Sequence, residues 1–152
     1  CALPISTALI VVLGLGAVLA DNQKSWNNMY QAVYDNMIAE SFVARHAFDA
    51  LVRKSGSEEL SIDPQGAWVK LQYYANADST ELDRYGKMYV RDRTLYLETG
   101  LVRDEQAMGA IELCHEVQRC VFDHAGRSVQ MILDLNDGQK SMTVVCSAVM
   151  HN

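Results

Sequence analysis

The sequence has few basic residues, few prolines and few cysteines, and each shortage excludes a class of protein. Its 152 residues carry a formal net charge of −6, and the longest run of Lys or Arg is the pair Arg53-Lys54. Nucleic acid binding normally requires a basic face, so we predict no nucleic-acid partner. The four cysteines are too few for a disulfide-dense scaffold. The two prolines, Pro4 and Pro64, leave a long stretch between them in which a helix can run unbroken.

Motifs of catalysis and cofactor binding are also missing. The sequence contains no phosphate-binding GxxxxGK[ST] loop, no GxSxG and no HExxH. Gly14-Leu15-Gly16 lies inside an apolar run with no strand before it, so it is not a phosphate loop. The residues from Cys114 to His124 form C-H-x4-C-x3-H, which lacks the close Cys and His pairs of a structural zinc site. We therefore predict that the protein is not an enzyme and binds no metal or other cofactor.

Charge is absent from the beginning of the chain. Ala2 to Ala20 reads ALPISTALIVVLGLGAVLA, and the first charged side chain is Asp21. A helix of about 20 apolar residues spans a bilayer core of about 30 Å. We predict that residues 1–20 form a hydrophobic transmembrane helix, with residues 2–20 in the membrane. Small residues that let such helices approach closely are Gly14, Gly16, Ala17 and Ala20.

Residues 21–55 predict an amphipathic continuation of this helix. Apolar side chains recur there at three-, four- and seven-residue spacing, which marks one face of a helix. The basic pair Arg53-Lys54 suits the negative end of a helix dipole, and Gly56 offers a C-cap. We predict one nearly continuous helix from about Pro4 to Lys54, about 75 Å long. The side chains expected to pack on a sheet are Trp26, Tyr30, Val33, Met37, Phe48 and Leu51.

Residues 56–152 predict a β-rich globular head. Val129, Met131, Leu133 and Leu135 alternate with Gln130 and Asp134 in one predicted strand. A further strand is expected to line one of its faces with Met142, Val144, Cys146, Ala148 and Met150. Further predicted strands are Trp68–Tyr74, Lys87–Arg91, Thr94–Glu98 and Val117–Phe122. Predicted loops cover Ser57–Gly66 and Ala75–Asp83, while Leu101–Gly109 is interpreted as a loop or one helical turn. The expected fold class is α+β, with the long N-terminal helix packed on an antiparallel β-sheet.

Three of the four cysteines fall in this head. Cys120 and Cys146 are expected on strands that flank a third, roughly 9–10 Å apart, which exceeds the span of a disulfide. We predict a Cys114–Cys120 disulfide with Cys146 as a buried thiol, and Cys114–Cys146 is the alternative. Cys1 is expected to be a free thiol in the apolar core.

This layout resembles the type IV pilin-like superfamily. The start ALPISTALIVVLGLG is similar to the first residues of some minor pilins. The stretch SFVARHAFDALVRK resembles the Arg-bearing helix of pseudopilin J, PilW-like and ComGF-like proteins, and so does the ending from Cys114 to Asn152. The family normally has glutamate at position 5, where this chain has Ile5, and often phenylalanine at position 1, where it has Cys1.

The resemblance implies a structural subunit of an extracellular pilus-like filament that polymerises through its N-terminal helix. It implies a homo-oligomeric helical polymer, a prepilin peptidase that cuts before the apolar run, and a pilus assembly machinery as partners. The protein would reside in the cytoplasmic (inner) membrane first and at the cell surface after assembly. The alternatives are a minor pseudopilin or tip subunit of a secretion or pilus machine and, from another class, a single-pass membrane-anchored binding module. The residues expected in the assembled helix core are Cys1, Ala2, Leu3, Pro4, Ile5, Gly14, Gly16, Ala17 and Ala20.

Overall fold

The computed structural model describes residues 16–25 and 36–151, without the side chain of Glu58. Residues 16–25 are helical and are called α1. The second helix, α2, spans Asn36–Lys54. The strands are β1 Ser55–Ile62, β2 Trp68–Tyr73, β3 Arg84–Arg91, β4 Thr94–Leu101, β5 Gln106–Cys114, β6 Val117–Ala125, β7 Ser128–Asn136 and β8 Ser141–Val149. The chain divides into two compact units, Cys1–Ile38 and Ala39–Asn152.

The strands form two antiparallel sheets. The first contains five strands in the order β1-β2-β3-β4-β5, and the second contains three in the order β6-β7-β8. In both sheets neighbours in sequence are neighbours in space, so each sheet is a meander. The predicted alternation in β7 is confirmed, because Val129, Met131, Leu133 and Leu135 are buried and the residues between them are partly exposed.

Helix α2 contacts both sheets through its buried side. The ring of Phe48 stacks on the ring of Phe122 in β6, with centroids 6.4 Å apart. Leu51 lies against Gly86 in β3, where an added Cβ would lie 2.4 Å from the Leu51 Cδ1 atom. Glycine at position 86 therefore lets the helix approach the five-stranded sheet closely. Phe48 and Leu51 thus pack this helix on different sheets.

Two tight turns join consecutive strands of the five-stranded sheet. Gly66 donates its backbone N–H to the carbonyl oxygen of Asp63 at 2.7 Å, which closes the turn Asp63-Pro64-Gln65-Gly66. Asp92 and Arg93 join β3 to β4 and have φ values of 50° and 59°. Two consecutive positive φ values are typical of the type I′ turn, whose twist matches that of the flanking strands.

The predicted fold class is wrong. Over residues 16–25 and 36–151 the structure is mostly β-sheet, with two short helices and two antiparallel sheets, where one sheet covered by a long N-terminal helix was predicted. The chain leaves α2 at Lys54 and enters β1 at Ser55 without a loop. Strand β1 occupies most of the predicted loop Ser57–Gly66. Its residues 60–62 pair with residues 69–71 of β2, because backbone pairing compensates for the polar composition of an edge strand.

The interpretation of Leu101–Gly109 as a loop or helical turn holds for residues 102–105 and is wrong for residues 106–109. Leu101 ends β4, and β5 begins at Gln106 after a short turn. Seven of the β5 residues pair with β4 in antiparallel register, including Ile111 with Leu97. The backbone hydrogen bonds of that ladder form the strand although its residues show no apolar and polar alternation.

Several predictions lie outside the described residues. They concern Cys1, Ala2, Leu3, Pro4, Ile5, Gly14, Trp26, Tyr30 and Val33. Within residues 16–25 and 36–151, no helix combines the length and the apolar character that a membrane crossing requires.

Candidate interaction surface

The outer edges of two strands differ from the others in their backbone hydrogen bonding. The outer edge of β6 is partly covered, because Phe122 donates its backbone N–H to the carbonyl oxygen of Gly66 at 2.9 Å. The edge of β1 is likewise covered at its start, where His151 donates to Ser55 at 3.1 Å. Within the described part of the chain, no backbone group bonds to the outer edge of β5 or of β8. These two edges therefore offer free backbone donors and acceptors.

Strand β8 carries no charged side chain. Its sequence is SMTVVCSAV, and two of its valines, Val145 and Val149, are 54% and 59% exposed. Natural edge strands are usually protected against pairing by charge, by proline or by a bulge. The ladder between β7 and β8 is regular from Ser128 to Asn136, without a bulge. The β8 edge is thus suited to pairing with another strand.

A groove runs between this edge and α2. The helix contributes a stripe of side chains, and β8 contributes Cys146 and Ser147. Cys146 is buried and Ser147 is exposed, because adjacent strand residues point to opposite faces. Because Cys146 and Ser147 belong to opposite faces of β8, a groove that both residues line reaches the edge of that strand. Here the groove residues on α2 are called the α2 stripe, and they are Phe42, Arg45, His46, Phe48, Asp49 and Arg53.

The α2 stripe carries more cationic than anionic groups. Two arginines, Arg45 and Arg53, stand against one carboxylate, Asp49. The Arg53 Nε atom donates to the Asp49 Oδ2 atom at 2.8 Å, so that carboxylate already has a partner. Both side chains are solvent-exposed, so this pair contributes little stability. In a chain of net charge −6, the groove is a locally positive surface that favours an acidic partner.

Strand β5 is exposed on both of its faces. Residues 106–112 are all exposed, and Met108 and Ile111 are 62% and 59% exposed. An apolar strand at the end of a sheet with both faces in water retains unburied apolar area. Its last two residues, Leu113 and Cys114, are buried. Strand β5 is therefore anchored at its C-terminal end and open along the rest of its length.

A histidine holds the anchored end of β5 to α2. The His115 backbone N–H donates to the Glu40 Oε2 atom at 2.7 Å, and the His115 Nδ1 atom lies 3.0 Å from Glu40 Oε1. The Nε2 atom lies 3.2 Å from Glu112 Oε2. The hydrogen bond with Glu40, followed by the one with Glu112, raises the pKa of His115. This contact links the C-terminal end of β5 to α2.

The cysteines of the head are free thiols in this structure. Cys114 and Cys146 are buried and Cys120 is partly buried. Burial raises the pKa of Cys114 and of Cys120 to about 12, and that of Cys146 to about 11. The Cys114–Cys120 disulfide and its Cys114–Cys146 alternative stay predictions. Among the described residues, no group of His, Cys, Asp and Glu side chains is arranged to hold a metal ion.

The remaining predicted site residues lie on the two helices. Gly16, Ala17 and Ala20 are exposed residues of α1, and Met37 is buried in α2. The sequence interpretation missed the two free edges and the contact of His115 with Glu40. An uncharged nine-residue strand such as β8 was a usable signal for an open edge. The contact between His115 and Glu40 joins residues far apart in sequence and had no signal.

Comparison with known proteins gives no assignment for this arrangement. No protein-family model matches the chain, and no curated protein sequence matches it.

Proposed function

We propose that the protein is a structural subunit of an extracellular type IV pilus-like filament. The observation that carries this proposal is the uncharged run from Ala2 to Ala20, which precedes a β-rich head. Such a run is long enough for a bilayer core and equally suited to a bundle of helices that excludes water. The two open strand edges of the head add support, because a subunit that makes repeated contacts needs exposed surface for them.

The proposed mechanism is physical. The apolar segments of residues 2–20 wait in the inner membrane, are withdrawn by the assembly machinery after cleavage by a prepilin peptidase, and pack against one another. Ile5 places an apolar side chain where the pilin-like family normally has a buried carboxylate. Isoleucine avoids the cost of burying a charge and loses the register that a charge pair would supply. The heads then face outward at the cell surface.

Two alternative functions are each favoured by one specific observation. A minor pseudopilin or tip subunit is favoured by Ile5, because the usual registration device is missing. A single-pass membrane-anchored binding module is favoured by the groove between α2 and β8. An edge strand beside a helix is the geometry in which several binding domains accept an extended peptide.

The test is to shear source cells, image the released material by electron microscopy and sequence its protein from the N-terminus by mass spectrometry. Filaments composed mainly of this chain would support the structural-subunit proposal. Filaments that contain it only in traces would favour the minor-subunit alternative. A chain that stays wholly in the membrane fraction would contradict the filament proposal and favour the binding module.

A further inference from the structure

We infer that neighbouring copies of this protein join by strand addition, with β5 of one copy pairing along the β8 edge of the next. The inference rests on the proposed function, since it names the contact between heads in the polymer. It starts from the two edges that no backbone group covers in the described part of the chain. A pair formed there would give each open donor and acceptor a partner and continue one sheet into the next.

The two strands match in length, and they differ in regularity, because the β4–β5 ladder shifts register twice and the β7–β8 ladder does not. Each has nine residues, so neither leaves a long overhang. Strand β8 has no charged residue, and the only charged residue of β5 is Glu112. Exposed Met108 and Ile111 on β5 would lose contact with water against exposed Val145 on β8. The pairing would thus bury the apolar surface that both edges leave in water.

Charge favours the pairing of a β5 edge with a β8 edge. Acidic residues outnumber basic ones beside the open part of β5, with Arg103, Asp104 and Glu105 before it and Glu112 near its end. The side chains of Glu105 and Glu112 are 81% and 56% exposed, although each has a basic partner in its own chain. The groove beside β8 carries the excess of cations on the α2 stripe. Insertion of β5 would bring acidic groups toward that positive groove.

Pairing between unlike edges explains an open-ended polymer. The edges of β5 and β8 belong to different sheets of one head, so each copy can offer one edge to each of two neighbours. A contact between two different surfaces does not close into a dimer and can propagate. Pairing of β8 with another β8 would instead bring two cationic α2 stripes to one junction. Like charges there oppose that self-pairing.

Cross-linking between two differently labelled populations tests the pairing. One population of the full-length chain carries Ile111→Cys and the other carries Val145→Cys, and both carry Cys1→Ser. The two are mixed under assembly conditions in mild detergent and treated with a short bismaleimide. Burial raises the pKa values of the native thiols Cys114, Cys120 and Cys146 to about 11 to 12, which slows their reaction with the maleimide.

The expected product is a covalent dimer in the mixture, in far higher yield than in either population alone. A dimer that forms equally well from the Ile111→Cys chain alone would show β5 self-pairing and overturn the inference. The same holds for a dimer from the Val145→Cys chain alone. No dimer in any sample would also overturn it.

A charge series at one exposed position gives a second measurement. Ile111→Lys should weaken assembly by roughly tenfold because it brings a cation toward the positive groove, and Ile111→Glu should weaken it less. Tyr74→Lys is the matched control, since Tyr74 is 50% exposed in the loop after β2 and lies on neither edge. Melting temperatures should agree for all three variants. Equal losses for Lys and Glu, or for the Tyr74 control, would refute the edge contact.

Failure of this inference can be told apart from failure of the proposed function. Sheared filaments rich in this chain but without mixed cross-links would retain the filament subunit and reject the β5–β8 contact. Mixed cross-links without filaments on cells would support the contact and reject the filament.

Discussion

Substitution of Phe48 by alanine should show how much the packing of α2 on the three-stranded sheet contributes to stability. Phe48 is fully buried, and its ring stacks on Phe122 of β6. Phe42 lies on the same helix, but its side chain is 64% exposed in the groove beside β8. The pair therefore offers the same chemical change at a buried and at an exposed position.

The expected magnitude follows from burial. Truncation of a fully buried phenylalanine removes transfer free energy and leaves a cavity, which together cost about 3–5 kcal/mol. For a head of this size, that loss corresponds to a fall in melting temperature of roughly 10–20 °C. Phe42→Ala should change the free energy of unfolding by less than about 0.5 kcal/mol, because its ring is already largely in water.

The assay is thermal and denaturant unfolding of the full-length chain in mild detergent, followed by near-UV circular dichroism and tryptophan fluorescence. Trp68 in β2 reports on the five-stranded sheet. We expect one cooperative transition that shifts strongly for Phe48→Ala and hardly at all for Phe42→Ala. A loss below about 1 kcal/mol for Phe48→Ala would refute the packing of α2 described above.

Three further predictions follow from single side chains. Because His115 has a raised pKa, the stability from its carboxylate partners should be fully present below pH 6.5 and lost as the pH rises through the raised value. The substitution His115→Gln should therefore flatten the difference in unfolding midpoint between about pH 5.5 and about pH 8.5. An unchanged difference in the variant would contradict this. The Cys120 thiol has a pKa of about 12, so at about pH 8 it should react with iodoacetamide roughly 10³-fold more slowly than an unfolded-chain thiol. If mass spectrometry shows the same alkylation rate for Cys120 in the folded and the unfolded chain, its burial is refuted. Gly100→Ala should destabilise the head by about 1–3 kcal/mol, because the added Cβ would meet the backbone oxygen of Gln106. Gly56→Ala, which meets nothing, is the control in the same unfolding assay, and equal losses would contradict the close approach.

The sequence predicted strands well where one face is buried. In β7 a buried residue alternates with a partly exposed one throughout, so the period of two is visible in the sequence. Strand β5 has both faces in water along Gln106–Glu112, so no alternation marks it. Strand β1 was missed because Ser55–Ile62 is mostly polar and its pairing with β2 is a backbone property. The division into a five-stranded and a three-stranded sheet depends on long-range contacts that no local pattern records.

The candidate surface was predictable only in part. The four-residue spacing of Arg45, Asp49 and Arg53 is visible in the sequence and puts these residues on one helix face, which in the structure lies beside β8. Which strand ends a sheet is a matter of topology, so the open edges required the structure. The contact of His115 with Glu40 joins β5 to the helix across a long stretch of sequence and was not predictable for the same reason.

The most direct test of the filament account is the amount of this chain in sheared surface filaments, measured by quantitative mass spectrometry against filament length measured by electron microscopy. We expect this chain to supply most of the protein mass of the sheared filaments, with its copy number rising in proportion to filament length. A copy number that stays constant as filaments lengthen, or a chain absent from them, would contradict it.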